Sequence, residues 1–414
     1  MESNIQNKNV KKDKVAVLKC TSYDKEELSQ KIEKCVSLIG GFKKYISGAK
    51  KILLKPNFLS ASAPATAVTT HPAFVESIVD IIKKIAGSNI EITIADSPGV
   101  ATPHTKKDLS KLYEITGFKY FHDIPGVTLN LDTGYRTVSF KDGKVLKQLE
   151  VIKPVLEADL IINLPKFKTH SLTRMTGAVK NMYGIIHGRT KTLLHTKFMD
   201  IHKFNDMLLD VYLFKKPVIN IMDGILGMEG EGPGTSGKAR ETGLILASTN
   251  GIALDNVASM IMGFKEKQIP LMSCAAERNL PGFEFKDIEI LGEKIEEVII
   301  SNFILPKNSN IDRITKNRFI NTYIFPFIRN TLSLSPYQDK IKCNLCGTCR
   351  DICPEIAIII EGEKYKLDYK KCIRCYCCSE MCPNGAMDLK YSFLGDLIFS
   401  KKRKIQNLKY VIEI

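Results

Sequence analysis

The chain nearly repeats itself over one stretch, and the repeat is built on cysteine. Cys343, Cys346, Cys349, Cys353 and Pro354 recur 29 residues later (372 − 343) as Cys372, Cys375, Cys378, Cys382 and Pro383. Each half reads C-x2-C-x2-C-x3-C-P. Three thiolates two residues apart on a tight loop can wrap three irons of one cubane, leaving the intervening backbone N–H groups free to face the sulfurs. The fourth cysteine lies just beyond, and the proline ends the loop. In this pattern the fourth cysteine of each run serves the other cluster. The spacing therefore assigns Cys343, Cys346, Cys349 and Cys382 to one [4Fe–4S] cluster, and Cys372, Cys375, Cys378 and Cys353 to a second. The exchange ties the halves together, which matters because so short a segment has little core of its own.

Other uses of cysteine fit less well. A zinc site takes four ligands and usually pairs two C-x2-C knuckles; it does not call for triple runs, each closed by a proline. The C-x3-C-x2-C spacing of radical S-adenosylmethionine enzymes does not occur. The opening residues MESNIQNKNVKKDK hold no apolar run that could act as a secretion signal. No uncharged apolar stretch reaches the ~18 residues of a membrane span. A cytoplasmic, reducing location is expected, where twelve cysteines are better suited to metal than to disulfides. Cys377 falls outside the repeat and reads as a bystander thiol.

The residues before the repeat read as α/β. Candidate strands are 14–20, 51–55, 90–96, 160–166, 218–223 and 244–249; candidate helices are 25–38, 73–86, 105–116, 204–213 and 252–262. Near-continuous apolar strands separated by helices imply a Rossmann-like, mostly parallel sheet covered on both faces. In such a sheet ligands sit outside the carboxyl ends of the strands. Those ends deliver Lys55, Asn57, Asp96, Ser97, Lys166, His170 and Asp223. Aspartate and serine there also serve as turns and caps, but lysine is not a capping residue. Residues 166–203 hold eight Lys or Arg, including Lys166, Lys168 and Lys180, against the single acid Asp200. That excess near a binding edge points to a phosphate or carboxylate. The glycine-rich stretch 228–238 fits G-x-x-x-x-G-K, yet Ala239 stands where a P-loop needs Ser or Thr. It reads as a mobile loop closing over a ligand, or as a surface turn.

Two resemblances follow from these motifs. Residues 337–390 resemble the bacterial two-cluster ferredoxin module, which implies one-electron transfer at low potential, about −400 mV for ferredoxin-type sites. KPNFLS (55–60), Thr69-Thr70-His71-Pro72, ADSPG (95–99), LPKFKTH (164–170), TGAVKNMYG (176–184), MDG (222–224) and GEGPGTSG (230–237) resemble, as a set, the domain of unknown function 362 family. Members of that family often end in a ferredoxin module. The resemblance implies a cytoplasmic iron–sulfur protein and supplies no reaction. Its motifs coincide with the strand-end residues and add Asn181.

The expected organisation is an α/β domain over 14–305, a connector over 306–336, a small α+β ferredoxin-like domain over 337–390 and a basic tail over 391–414. The leading expectation is an oxidoreductase that passes electrons to a small anionic substrate or cofactor. Lys55, Asn57, Ser97, Lys166, Lys168, Lys180 and Asn181 would bind it, and Asp96, His170 or Asp223 would move protons. The expected donor is a redox partner such as a ferredoxin, flavodoxin or reductase. The alternative is a non-enzymatic electron-transfer or docking module. The formal charge of +15 permits anionic partners, but with no recognisable nucleic-acid fold, nucleic acid is not expected. The apolar, basic segment 318–330 suggests interdomain packing or contact with a membrane surface.

Overall fold

The computed structural model describes residues 12–87, 89–99, 105–198, 200–265, 268–307 and 334–390. The segment 318–330 and the tail from 391 lie outside them. The chain divides after Pro306 into two compact units.

The first unit is a mixed α/β layer around a large sheet. Its strands are β1 (Asp13–Lys19), β2 (Lys51–Pro56), β3 (Glu91–Ile94), β4 (Val127–Leu129), β5 (Tyr135–Ser139), β6 (Gln148–Ile152), β7 (Leu160–Leu164), β8 (Lys166–His170), β9 (Arg174–Met175), β10 (Ile219–Gly230), β11 (Gly237–Ser248) and β12 (Ile288–Gly292). The main order is β12-β1-β11-β10-β7-β2-β3-β4. Along it every neighbouring pair is parallel except β1 with β11 and β10 with β11, so β11 alone runs against the rest. The strands are apolar on both faces because each face meets helices. Val15, Val17 and Leu53 join one core with the helices Ile201–Phe214 and Gly251–Ile261. Ala16, Leu18, Ile52 and Leu54 point the other way, onto Lys25–Leu38, Pro72–Ala86 and Lys106–Ile115. Period-two alternation thus builds two cores from one strand run.

The helices start where local chemistry lets them. The Asp24 carboxylate accepts from the N–H groups of Glu26 and Glu27 at 3.1 Å each. Pro72 opens its helix at a position whose missing N–H costs nothing, and Gly87, at φ 79°, ends it.

Two differences from the sequence reading bear on the strand ends. The strand expected over 160–166 stops at Leu164, and Pro165 separates it from β8, so Lys166 and His170 belong to a different strand. The expected loop over 228–238 is shorter: β10 runs on to Gly230 and β11 begins at Gly237, leaving a turn over 231–236. That turn packs on β8, where a Cβ at Gly232 would lie 2.4 Å from the Thr169 carbonyl oxygen. Ser171 N–H also donates to Gly232 O at 2.9 Å.

The second unit realises the 29-residue repeat in its backbone. Its strands are β13 (Ser335–Gln338), β14 (Ile358–Glu361), β15 (Lys364–Leu367) and β16 (Met387–Lys390). β13 pairs with β16 and β14 with β15, both antiparallel. Shifting β13 and β14 by 29 residues gives β15 and β16, so each two-stranded sheet takes one strand from each half. The short helices Thr348–Asp351 and Cys377–Glu380 are related by the same shift.

Asp210 pins the turn between β5 and β6. Its fully buried carboxylate accepts the N–H groups of Lys144, Val145 and Leu146 at 2.8, 2.7 and 2.9 Å and meets Arg278 at 2.9 Å. Asp210→Ala leaves those three donors unanswered and Arg278 with only Asp206, and is expected to cost about 3–5 kcal/mol, read as a fall in the urea midpoint of unfolding.

Candidate functional site

The second unit gathers its cysteines into two groups. Burial and the charges of Cys382, Cys343 and Cys346 push the Cys349 thiol up to about 11. Cys353, Cys372, Cys375 and Cys378 line one pocket, together with Pro336, Ile358, Leu367 and Ile373. Burial, then Cys375, Cys372, Cys349 and Cys353, raises the Cys378 thiol well above its ordinary value. Cys349, Cys372 and Cys378, all shifted up by burial and neighbouring thiols, resist ionisation unless cations neutralise them, which is what bound iron does. Among the described residues no three His, Cys, Asp or Glu side chains close tightly enough to grip a single ion. A cubane sets its four thiolates wider apart, one on each iron.

The loops carry matched adaptations to sulfur. Ala357 N–H donates to Cys353 Sγ at 3.2 Å, and Ala386 N–H donates to Cys382 Sγ at 3.1 Å, the same contact 29 residues on. Thr348 Oγ1 lies 3.3 Å from Cys346 Sγ. In the other half Cys377, which the spacing left as a bystander, hydrogen-bonds the Cys375 sulfur. Left-handed backbone recurs in register at Leu345 and Arg374, Gly347 and Tyr376, and Ile356 and Gly385. Outside glycine this conformation costs about 1–2 kcal/mol per residue, strain of the kind stored at functional loops. These donors and the pocket walls suit the iron–sulfur group that the spacing implies.

In the first unit the sheet brings the expected strand-end residues together, but mostly as partners of one another. Lys55 at the end of β2 pairs with Asp96 after β3 at 2.9 Å, their side chains 1% and 3% exposed. The other Asp96 oxygen accepts from Phe58 N–H at 2.8 Å. Burial lowers the Lys55 pKa against the pull of Asp96, and it raises that of Asp96 against Lys55 and Lys191. Lys166 pairs with Asp223 at 2.6 Å, both fully buried. Asp223 also accepts from Tyr23 O–H at 2.8 Å and His71 N–H at 2.9 Å. The Tyr23 and His71 rings stack at 3.7 Å. Burial, opposed by Asp223 and aided by Lys166, drives His71 down to about 4.

A run of amides bridges the strands. Asn57 Nδ2 donates to Asn181 Oδ1 at 2.9 Å, Asn181 Nδ2 to Asn163 Oδ1 at 2.8 Å, and Asn163 Nδ2 to Asn220 Oδ1 at 2.8 Å. Lys168 Nζ donates to Val68 O at 2.6 Å. His170 Nδ1 accepts from Leu172 N–H at 3.0 Å. Burial, then Lys180, His195 and Lys168, holds the His170 imidazole neutral.

The residue that sequence reasoning undervalued most is Lys191. It was visible only as one member of a basic stretch. From the helix Gly188–Lys197 its Nζ donates to the carbonyls of Ser97 and Pro98. It sits close enough to Asp96, Lys55 and Lys180 for each to shift its titration. Lys180 and Lys191 lie 5.7 and 5.9 Å from the Tyr183 ring centre. Lys55 and Lys191 thus flank one carboxylate, and Ser97 Oγ, buried beside them, has no hydrogen-bond partner among the described residues. Gly184 makes the fit possible, since a Cβ there would lie 1.7 Å from Asp96 Oδ1. Tyr23, His71, Asn163 and Asn220 also escaped selection, because their partners lie far away in sequence.

Burial lowers the Lys191 pKa from 10.5 to about 7. Between those values the unfolded chain binds the extra proton, so folding gains stability as pH rises and loses it as pH falls towards 7. The slope from this group is at most about 1.4 kcal/mol per pH unit. Lys191→Gln is expected to flatten the rise in stability between pH 7.5 and 9.5, measured by chemical denaturation against the parent protein.

Comparisons with known proteins agree with this division of the chain. The model of "Domain of unknown function (DUF362)" matches residues 52–260, 209 of the 414 residues, and that of the "4Fe-4S dicluster domain" matches 335–383. The thylakoid-associated protein sll1697 of Synechocystis sp. is 27% identical over 330 residues, 77% of this chain and 97% of that protein. The lactate racemase apoprotein of Thermoanaerobacterium thermosaccharolyticum overlaps 60% of this chain at 14% identity and a TM-score of 0.37, and the chain spans 57% of its length. Among the described residues no helix is long and apolar enough to cross a membrane. The chain belongs to the DUF362 family and is an iron–sulfur protein with a 4Fe–4S domain following its α/β domain.

Proposed function

We propose that this protein holds two [4Fe–4S] clusters and passes low-potential electrons to a small anion bound at the strand ends of its α/β domain. Cys343, Cys346, Cys349 and Cys382 hold one cluster; Cys372, Cys375, Cys378 and Cys353 hold the other. The observation that carries this assignment is the grouping of the thiols across the repeat, Cys382 beside Cys349 and Cys353 beside Cys372. The clusters supply one-electron transfer.

On the α/β side the chain's own groups bind and orient. With Lys191 protonated, it and Lys55 outnumber the single carboxylate Asp96, an excess of positive charge in surroundings too buried for water to screen. A phosphate or carboxylate balances that excess, and Ser97 Oγ is free to donate to it. Asn57 and Asn181 hold the β2 end in place through Lys55 O, which accepts from Asn181 Nδ2 at 3.2 Å. Asp96 is the group placed to take or give a proton, because burial holds its pKa up beside the lysines. Lys166, Lys168 and Asp223 act as the frame. The donor is a redox partner protein.

One observation favours the non-enzymatic alternative: the strand-end lysines Lys55 and Lys166 are each already paired with a carboxylate. The two readings part in one experiment. Protein prepared without oxygen is reduced and then offered small carboxylates and phosphate esters, with cluster absorbance followed. Reoxidation by one of them, slowed at least tenfold in Lys191→Gln with all eight irons retained, is expected. Electrons that leave only for a partner protein, equally in parent and variant, would overturn the enzyme reading. Cys382→Ser and Cys349→Ser should impair the same cluster, and Cys353→Ser the other, in iron analysis and EPR.

A further inference from the structure

The two cysteine groups share a backbone but not an environment. The second cysteine of each run, Cys346 or Cys375, has a side chain two residues on that reaches back to its sulfur. In the first half this is the hydroxyl of Thr348, 3.3 Å from Cys346 Sγ. In the second it is the thiol of Cys377, hydrogen-bonded to Cys375. The positions are equivalent (348 + 29 = 377), and the donors are unequal, since a hydroxyl donates strongly and a thiol weakly.

Solvent differs in the same sense. Cys346 is exposed, whereas its counterpart Cys375 is half-buried, in a pocket whose walls are mainly Pro336, Ile358, Leu367 and Ile373, with Glu355 and Arg374 as oppositely charged members. Reduction adds a negative charge to a cluster. Hydrogen bonds to its sulfurs and nearby water stabilise that charge, and apolar walls oppose it. Both differences therefore favour reduction on the Cys346 side.

We propose that the two cluster positions are electrically unequal: the one held by Cys343, Cys346, Cys349 and Cys382 has the higher reduction potential, and Thr348 and Cys377 are positioning residues that set part of the gap. The inference rests on the two-cluster reading above. The first electron to arrive settles on the Thr348 side, and the Cys377 side fills at lower potential.

The test is an anaerobic redox titration of the full chain followed by EPR, with iron and sulfide measured on every sample. The parent protein should show two separable midpoints. Thr348→Val should lower only the higher one, by about threefold in its reduction equilibrium, or about 30 mV at 59 mV per decade for one electron. Thr348→Ser, which keeps the hydroxyl, should restore it. Cys377→Ser, nearly isosteric and a stronger donor, should raise only the lower midpoint, and it carries the test should Thr348→Val lose iron. With eight irons present, coincident midpoints in the parent overturn the proposal, as do variants that move the same midpoint or none. A parent protein holding only four irons instead overturns the two-cluster reading beneath it.

Discussion

A charge taken out of water has to be answered at close range, and that rule organises the strand ends of the large unit. Lys166 and Asp223 are both fully buried and meet at 2.6 Å. Asp223 takes hydrogen bonds from Tyr23 and His71 as well. One carboxylate thereby joins the chain just after β1, the start of the helix Pro72–Ala86, and strands β8 and β10. Breaking such a pair by removing one member is far costlier than never having built it, so the pair fixes the register of everything it touches. Lys55 and Asp96 do the same for β2 and the segment after β3. Their salt bridge leaves room for a neighbour, and Lys191 occupies it.

The small unit solves a different problem. A segment of this size has too little apolar area to fold on burial alone. Its two halves exchange strands: each two-stranded sheet takes one strand from each half. Metal binding then counts as folding energy for both halves together. The left-handed backbone at Leu345, Arg374, Tyr376 and Ile356 is tolerable under that arrangement, because the crossed pairings hold the loops on both sides. The repeat also makes the unit its own control, since any difference between equivalent positions is a difference in surroundings.

The parts of this structure legible in the sequence were those with short-range causes. The helix Lys25–Leu38 was readable because Asp24 caps it and its apolar residues fall on one face. The cysteine spacing was readable because a loop three or four residues long leaves few geometries. β8 was not, because Pro165 divides one apolar run into two strands, and the sequence of that run does not say which continues the sheet. The hairpin of β10 and β11 was hidden by glycines that read as a loop and serve instead as close contacts, such as Gly232 against Thr169. The partners of Asp223 were hidden for another reason: Tyr23 lies 200 residues away, and nothing local to either residue reports the contact. Lys191 was hidden in plain view. Seven other cations share its stretch, and only the fold separates the buried ones, Lys166, Lys168, Arg174 and Lys191, from the rest.

The excess of positive charge around Asp96 is the least economical element of the large unit. A sequence selected for stability alone would replace Lys191 with an apolar residue of similar length, since its Nζ reaches two carbonyls and no carboxylate of its own. Burial and two neighbouring lysines already disfavour its proton. The anion proposed for this site would reverse that sign. An anion seated between Lys180, Lys191 and Ser97 would do so, raising the lysine's proton affinity and turning a repulsive cluster into a cohesive one. Binding and protonation would then be linked: the anion would bind more tightly as pH falls through the range where Lys191 gains its proton. The same coupling would let the site release its product when a reaction removes the negative charge.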